Sequence, residues 1–207
     1  MVVRVALTIL SIPPFCFSPI FSVLVPLQIK QLHQSNYLSL SLSVSLSIPL
    51  HMYTATMNDP PCEMRGLFRE GMLGTLQVLY VAEKLTAQFL PRLMKHFEKE
   101  NIEFHMFATQ WLLTIYTSSF RFDLVARVWD IFLGEGWKIC YRVMLALLQD
   151  SEPTLLRLRF EDILAYFKEL PDNTNGDHIV ELALKIPLRR KHIDKYKKEW
   201  VMTRQNQ

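Results

Sequence analysis

Phe104-His-Met-Phe107-Ala-Thr-Gln110-Trp111-Leu-Leu-Thr-Ile115 decides the fold class. Phe104, Phe107, Trp111 and Ile115 step by three and four residues. That spacing puts side chains on one face of an α-helix. Gln110 and Thr114 lie beside the stripe, and Ser118 and Ser119 mark a break. Leu124, Val128, Ile131 and Phe132 then form a second stripe. Asp123 is placed to cap its start, and Gly134 and Gly136 to stop it.

The same rhythm extends in both directions. Upstream, Leu73, Leu76, Leu79, Tyr80 and Leu85 share one face. Pro91 then sits where a first helical turn accepts proline, with Leu93, Met94 and Phe97 as the apolar face and Glu98-Lys99-Glu100 as the close. Downstream, Ile139, Val143, Leu147 and Leu148 predict an amphipathic helix that Ser151-Glu152-Pro153 breaks. Phe160, Ile163, Leu164 and Phe167 share the next face, and Pro171 to Gly176 reads as a turn cluster. Ile179, Leu182 and Ile186 carry a helix that Pro187 ends, and a charged helix runs from about Leu188 to Met202. Nothing past residue 64 asks to be a strand. The chain reads as all-α, a multi-helix orthogonal bundle of roughly eight helices behind an irregular N-terminal segment.

The first 56 residues differ in kind. They hold two basic residues, Arg4 and Lys30, and the first acidic residue is Asp59. The other 21 basic and all 20 acidic residues lie beyond position 56. Residues 5–29 are apolar enough to resemble a signal peptide or a membrane span. Pro13, Pro14, Pro19 and Pro26 argue against a regular membrane helix. From Leu38 to Ile48 serine alternates with Leu, Val or Ile. This suits a half-buried strand, yet no partner strand follows. A TC dinucleotide repeat translates into alternating Ser and Leu. Residues 1–56 are therefore expected to be a low-complexity apolar segment, disordered or derived from non-coding sequence or an alternative first exon. A domain is expected at 57–187 and a basic helix with a tail at 188–207.

Composition excludes several function classes. A net charge of +3 over 207 residues is no basis for nucleic-acid binding. Cys16, Cys62 and Cys140 are odd in number and form no C-x-x-C, so neither a disulfide framework nor a zinc site is expected. Cys140 reads as a small buried apolar residue. His33, His51, His96, His105, His178 and His192 show no metal spacing. No Gly-x-Ser-x-Gly and no glycine-rich phosphate loop occurs. No cofactor and no metal is expected, and the cytosol is the default compartment.

Phe107-Ala-Thr-Gln-Trp-Leu-Leu-Thr-Ile-Tyr-Thr-Ser-Ser-Phe120, then Phe122, then Ala126-Arg-Val-Trp-Asp-Ile-Phe-Leu-Gly-Glu-Gly136 resembles the TBC family of Rab GTPase activators. That family carries an aromatic, a small residue and Gln-Trp on one helix. A short turn with Phe follows, and then a helix with Arg-x-Trp-Asp that ends at Glu-Gly. Met64-Arg-Gly-Leu-Phe68, Leu90-Pro-Arg-Leu93, Phe160-Glu-Asp-Ile-Leu164 and Lys195-Tyr-Lys-Lys-Glu-Trp200 are similar too. The resemblance covers about 140 residues and implies the C-terminal half of the domain. It implies a Rab-class small GTPase as partner, a role in vesicle traffic, a cytoplasmic location peripheral to endomembranes, and Gln110, Trp111, Arg127, Trp129, Asp130 and Gly136 as a structural motif.

The family's two activating side chains are an arginine in Ile-x-x-Asp-x-x-Arg and a glutamine in Tyr-x-Gln-Gly. Neither motif occurs: Asp is absent before Met57, Tyr37 is followed by Leu38-Ser39, and Tyr53 by Thr54-Ala55. No catalytic residue is assigned. An arginine finger neutralises charge in the transition state and is worth about 10³–10⁵ in rate, so this chain alone is expected to be inactive as an activator. Arg127 and Asp130, three apart on one helix, read as groups tying helix to helix rather than as a substitute finger. Trp111 and Trp129 read as core rather than partner anchors. Gln110 stands outside the glutamine motif. The alternative function is a non-catalytic helical binding module. The final helix carries seven basic residues against Asp194 and Glu199, a local net of +5. It reads as a solvated helix leading towards a coiled coil, with contact to anionic lipid or an acidic partner as the alternative. A half domain exposes an apolar face, so isolated 57–207 is expected to be poorly soluble.

Overall fold

A computed structural model of the chain describes residues 51 and 53–205. The readings of the apolar stretch 5–29 and the Ser-Leu alternation at 38–48 lie outside the described residues. Among the described residues there is no strand. Residues 53–58 are helical, and two 3-10 turns follow at Met64–Phe68 and Glu70–Met72. The helices are α1 (Leu73–Phe89), α2 (Pro91–Lys99), α3 (His105–Leu113), α4 (Phe122–Glu135), α5 (Trp137–Leu155), α6 (Phe160–Asn173), α7 (Gly176–Lys185) and α8 (Arg190–Gln205). The all-α class read from the periodicity is the class observed.

Helix α5 is the axis of the fold. From Ile139 to Leu148 every residue but Arg142 is fully buried. The sequence suggested an amphipathic helix; the structure surrounds it instead. Helices α4 and α7 pack on α5, α7 also packs on α4, and α1 reaches α5 as well. A helix that is apolar all round is stable only when enclosed in this way. Helix α1 carries α2, α3 and α8 against its sides.

Helix ends depart from the sequence reading in four places. Pro153 does not break α5 but lies within its last turn. Its ring costs one backbone hydrogen bond there. Burial of Ser151 and Leu155 on either side holds the turn, as does the bond that Tyr166 Oη donates to Ser151 Oγ at 3.3 Å. Pro171 likewise sits inside α6 and is buried. The turn shrinks to Thr174 and Asn175, where Thr174 Oγ1 donates to the Leu170 carbonyl at 2.6 Å. Asp123 is not the cap of α4; Arg121 holds that position with no side-chain bond, and Asp123 falls in the first turn. Leu73 and Leu76 are exposed, because α1 buries Val78, Val81, Ala82 and Leu85 instead.

The fourth helix end to depart is the one at Ile115. This residue does not belong to α3 but follows it, at φ 47°. Tyr116 N–H donates to the Trp111 carbonyl at 2.7 Å and Ile115 N–H to Leu112 at 3.3 Å. This pair of bonds is the Schellman closure, which normally uses glycine at the left-handed position. Helix α2 closes the same way, with Asn101 at φ 57° and Ile102 N–H on the Phe97 carbonyl at 2.8 Å. Asn tolerates that conformation; a β-branched Ile does not. Complete burial of Ile115 and Tyr116 holds the turn in place.

Candidate functional site

Trp111 sits in a cluster of aromatic rings. It meets Phe107, Phe120 and Phe167 edge-on, with centroids 5.4, 5.4 and 5.6 Å away. Phe167 of α6 stacks on Phe107 at 4.1 Å, and Phe97 of α2 meets both rings. Edge-on pairs add about 0.5–1.5 kcal/mol beyond area burial. Trp111 is buried, whereas Gln110 beside it is exposed. The Gln-Trp pair thus splits between the core and the surface.

The Arg-x-Trp-Asp segment lies on α4. Arg127 does not pair with Asp130. Its Nη1 lies 2.7 Å from Asp177 Oδ1, at the first turn of α7. Asn175 caps that helix, its Oδ1 accepting from His178 N–H at 3.2 Å. His178 Nε2 is 3.2 Å from Asp150 Oδ1 of α5. At Gly176 a Cβ would meet Leu124 N at 2.9 Å, so only glycine lets α7 approach α4 this closely. Asp130 is exposed and forms no ion pair with the described residues. Trp129 is half-buried and meets Phe132 edge-on at 5.6 Å; its Nε1 is shielded from solvent and finds no acceptor among the described residues.

Gly136 joins α4 to α5 at φ 65°, ψ −147°, a conformation open essentially to glycine alone. A Cβ there would come within 2.2 Å of the Pro61 carbonyl oxygen. The segment Pro61–Met64 is seated against this junction. Trp137 Nε1 donates to the Cys62 carbonyl at 2.7 Å, and Cys62 Sγ lies 3.6 Å from the Phe132 carbonyl. Behind the junction, Tyr116 Oη donates to the Cys140 carbonyl at 2.7 Å. Burial raises the Cys62 and Cys140 thiols and the Tyr116 and Tyr141 phenols above their usual ranges. These are neutral groups with no nucleophilic character at neutral pH. Among the described residues no group of His, Cys, Asp and Glu is arranged to hold a metal ion.

Residues 53–156, half of the chain, match the Rab-GTPase-TBC domain family. The chain belongs to that family. Among curated relatives, the Drosophila melanogaster ecotropic viral integration site 5 ortholog is 35% identical over 140 residues, 66% of this chain and 17% of the relative. The Homo sapiens ecotropic viral integration site 5 protein homolog is 33% identical over the same length and shares. The Saccharomyces cerevisiae GTPase-activating protein GYP5 is 32% identical over 127 residues, 58% of this chain and 14% of that protein. This chain therefore spans about one-sixth of the length of the relatives it matches. The TBC match takes in all of α5 and ends one residue after it; α6, α7 and α8 lie beyond it yet pack on helices within it.

Sequence reasoning missed the partner of Arg127. Asp177 is fifty residues away, and the one available signal was a polar cap, Asn175, followed by an acidic first turn. The docking of Pro61 on Gly136 left no local signal.

Proposed function

We propose that this chain carries the supporting part of a Rab GTPase-activating domain, engaging a Rab-class GTPase without supplying the finger side chains. The observation that carries this reading is the TBC match at 53–156 in a chain with no Ile-x-x-Asp-x-x-Arg and no Tyr-x-Gln-Gly. The names of relatives, among them a Rab GTPase-activating protein of Caenorhabditis elegans, support the choice of partner class. Arg127 reads as a structural group rather than a substitute finger, and its Nη1 lying 2.7 Å from Asp177 Oδ1 supports that reading. Among the described residues, burial holds the Cys140 thiol and the Tyr116 phenol neutral. The chain acts at the cytoplasmic face of endomembranes, where Rab proteins work in vesicle traffic. Among the described residues no helix is long and apolar enough to cross a membrane.

Phosphate release from a panel of GTP-loaded Rab proteins tests the reading. The chain is expected to leave the intrinsic rate unchanged. An acceleration approaching the 10³-fold or so that a finger supplies would overturn it. The absence of both motifs favours binding without acceleration, so titration of each Rab against the labelled chain is the companion measurement. Association without turnover supports a scaffold; no association with any Rab removes the partner class.

A further inference from the structure

Helix α8 is docked on α1 by a row of contacts along one side. Tyr80 Oη donates to Glu199 Oε1 at 2.6 Å, Tyr196 Oη donates to Gln88 Oε1 at 2.9 Å, and Tyr80 packs on Trp200 at 5.3 Å. Lys84 Nζ approaches the same Glu199 carboxylate at 4.0 Å. The Glu199 carboxylate, one of the two acidic groups on the helix, is therefore engaged by α1. What remains outside is more basic than the local net of +5 suggests. Lys191, Lys195, Lys198 and Met202 follow at i, i+4, i+7 and i+11, a single outward stripe, and all four are exposed. None of the three lysines forms an ion pair with a described residue, and Asp194 is the one acid beside them.

Apolar surface accompanies the charge. Met202 is 62% exposed and Val201 47%. Both border an open groove of about 320 Å³ between α1 and α8, walled also by Gln77, Lys197, Lys198 and Gln205. Exposed lysines beside exposed apolar side chains are the combination that suits a lipid headgroup plane. We propose that this face of α8 is a docking surface for an anionic lipid bilayer. The lysines meet lipid phosphates and carboxylates, while Val201 and Met202 enter the acyl boundary. An acidic protein would match the lysines but leave the exposed methionine and valine side chains without a reason. The surface does not depend on the finger question: it would hold the chain beside a membrane-attached GTPase whether or not the chain accelerates hydrolysis.

The full chain mixed with vesicles of phosphatidylcholine alone, or of phosphatidylcholine with phosphatidylserine, gives the test by co-sedimentation. Binding is expected on the anionic vesicles and is expected to fall as salt is raised. The triple variant Lys191→Gln, Lys195→Gln, Lys198→Gln is expected to lose on the order of 100-fold in partitioning, about fivefold per lysine. A milder Lys191→Gln, Lys198→Gln pair leaves Lys195 over the Tyr196 ring and keeps the comparison valid if the triple variant folds poorly. The apolar stretch at 5–29 is flanked by Arg4 and Lys30; both variants keep it, so the difference between the wild-type chain and each variant isolates the contribution of α8. Equal binding to both compositions, unchanged binding of either variant, or binding to soluble polyglutamate but not to vesicles would each overturn the assignment.

Discussion

Two residues show how much a single backbone position decides here. Gly136 was legible as a helix stop, because glycine after a periodic stretch is a strong signal. Its second duty, seating Pro61, was not, since that contact spans 75 residues. Gly136→Ala must pay for both a glycine-only conformation and a clash with backbone. A loss of about 3 kcal/mol or more is expected in urea unfolding; a change below about 1 kcal/mol would mean that the junction yields easily. Ile115 is the opposite case. Its position in the Phe104–Trp111 stripe made it read as helical, and only the Schellman bonds reveal otherwise. Left-handed strain at Ile115 costs about 1–2 kcal/mol, whereas its full burial is worth about 2–5 kcal/mol relative to a truncated side chain. Ile115→Gly is therefore expected to destabilise by about 2 kcal/mol, despite relieving strain. A more stable variant would show that strain dominates.

At the level of elements, periodicity exposed most helices because apolar stripes are a local property. Their rotation and their ends were less legible. The stripe of α1 was misplaced because Leu73 and Leu76 share its spacing without sharing its burial. The Pro153 and Pro171 stops failed because tertiary burial carries a helix through a proline in its last turns. Pairings between elements are harder still, and Arg127 with Asp177 is the example. Both side chains are more than half exposed, so a double-mutant cycle is expected to give a coupling of no more than about 1 kcal/mol. A value above about 2 kcal/mol would mark the pair as a fold-determining clamp. The α8 latch carries a pH signature as well. Burial, and then the Glu199 carboxylate, raise the Tyr80 phenol to about 12. An unfolded tyrosine titrates near about 10, so between these values the folded chain keeps a proton that the unfolded chain has lost. The contribution is thus complete below about pH 10 and is lost as pH rises through about 12. Tyr80→Phe is expected to cost about 1 kcal/mol at neutral pH, and the gap to close across that alkaline window. Tyr116, Tyr141 and Cys140 titrate in both proteins and cancel in the difference. A gap that stays constant to pH 12 or so would show that Tyr80 does not titrate with the latch.

For the whole molecule, the question is what the surface around the start of α1 does in water. Phe68, Met72, Leu73 and Leu76 are 41%, 44%, 48% and 43% exposed, four large apolar side chains within nine residues. Scattered exposed leucines are ordinary, but a contiguous run is a site of association. Gly71 and Met72, both with positive φ, turn the chain at the start of α1, beside these exposed side chains. The molecule is consequently expected to self-associate as its concentration rises, and Leu73→Gln with Leu76→Gln is expected to restore a monomer in sedimentation. Because both leucines already face solvent, the melting midpoint should move by no more than the equivalent of about 0.5 kcal/mol per site. The two readouts separate the causes. If the double variant loses several kcal/mol, these leucines are packed in solution and the patch is not free. If stability holds and association persists, the adhesive surface lies elsewhere on the chain. Only stable, monomeric behaviour of the variant assigns the association to this face.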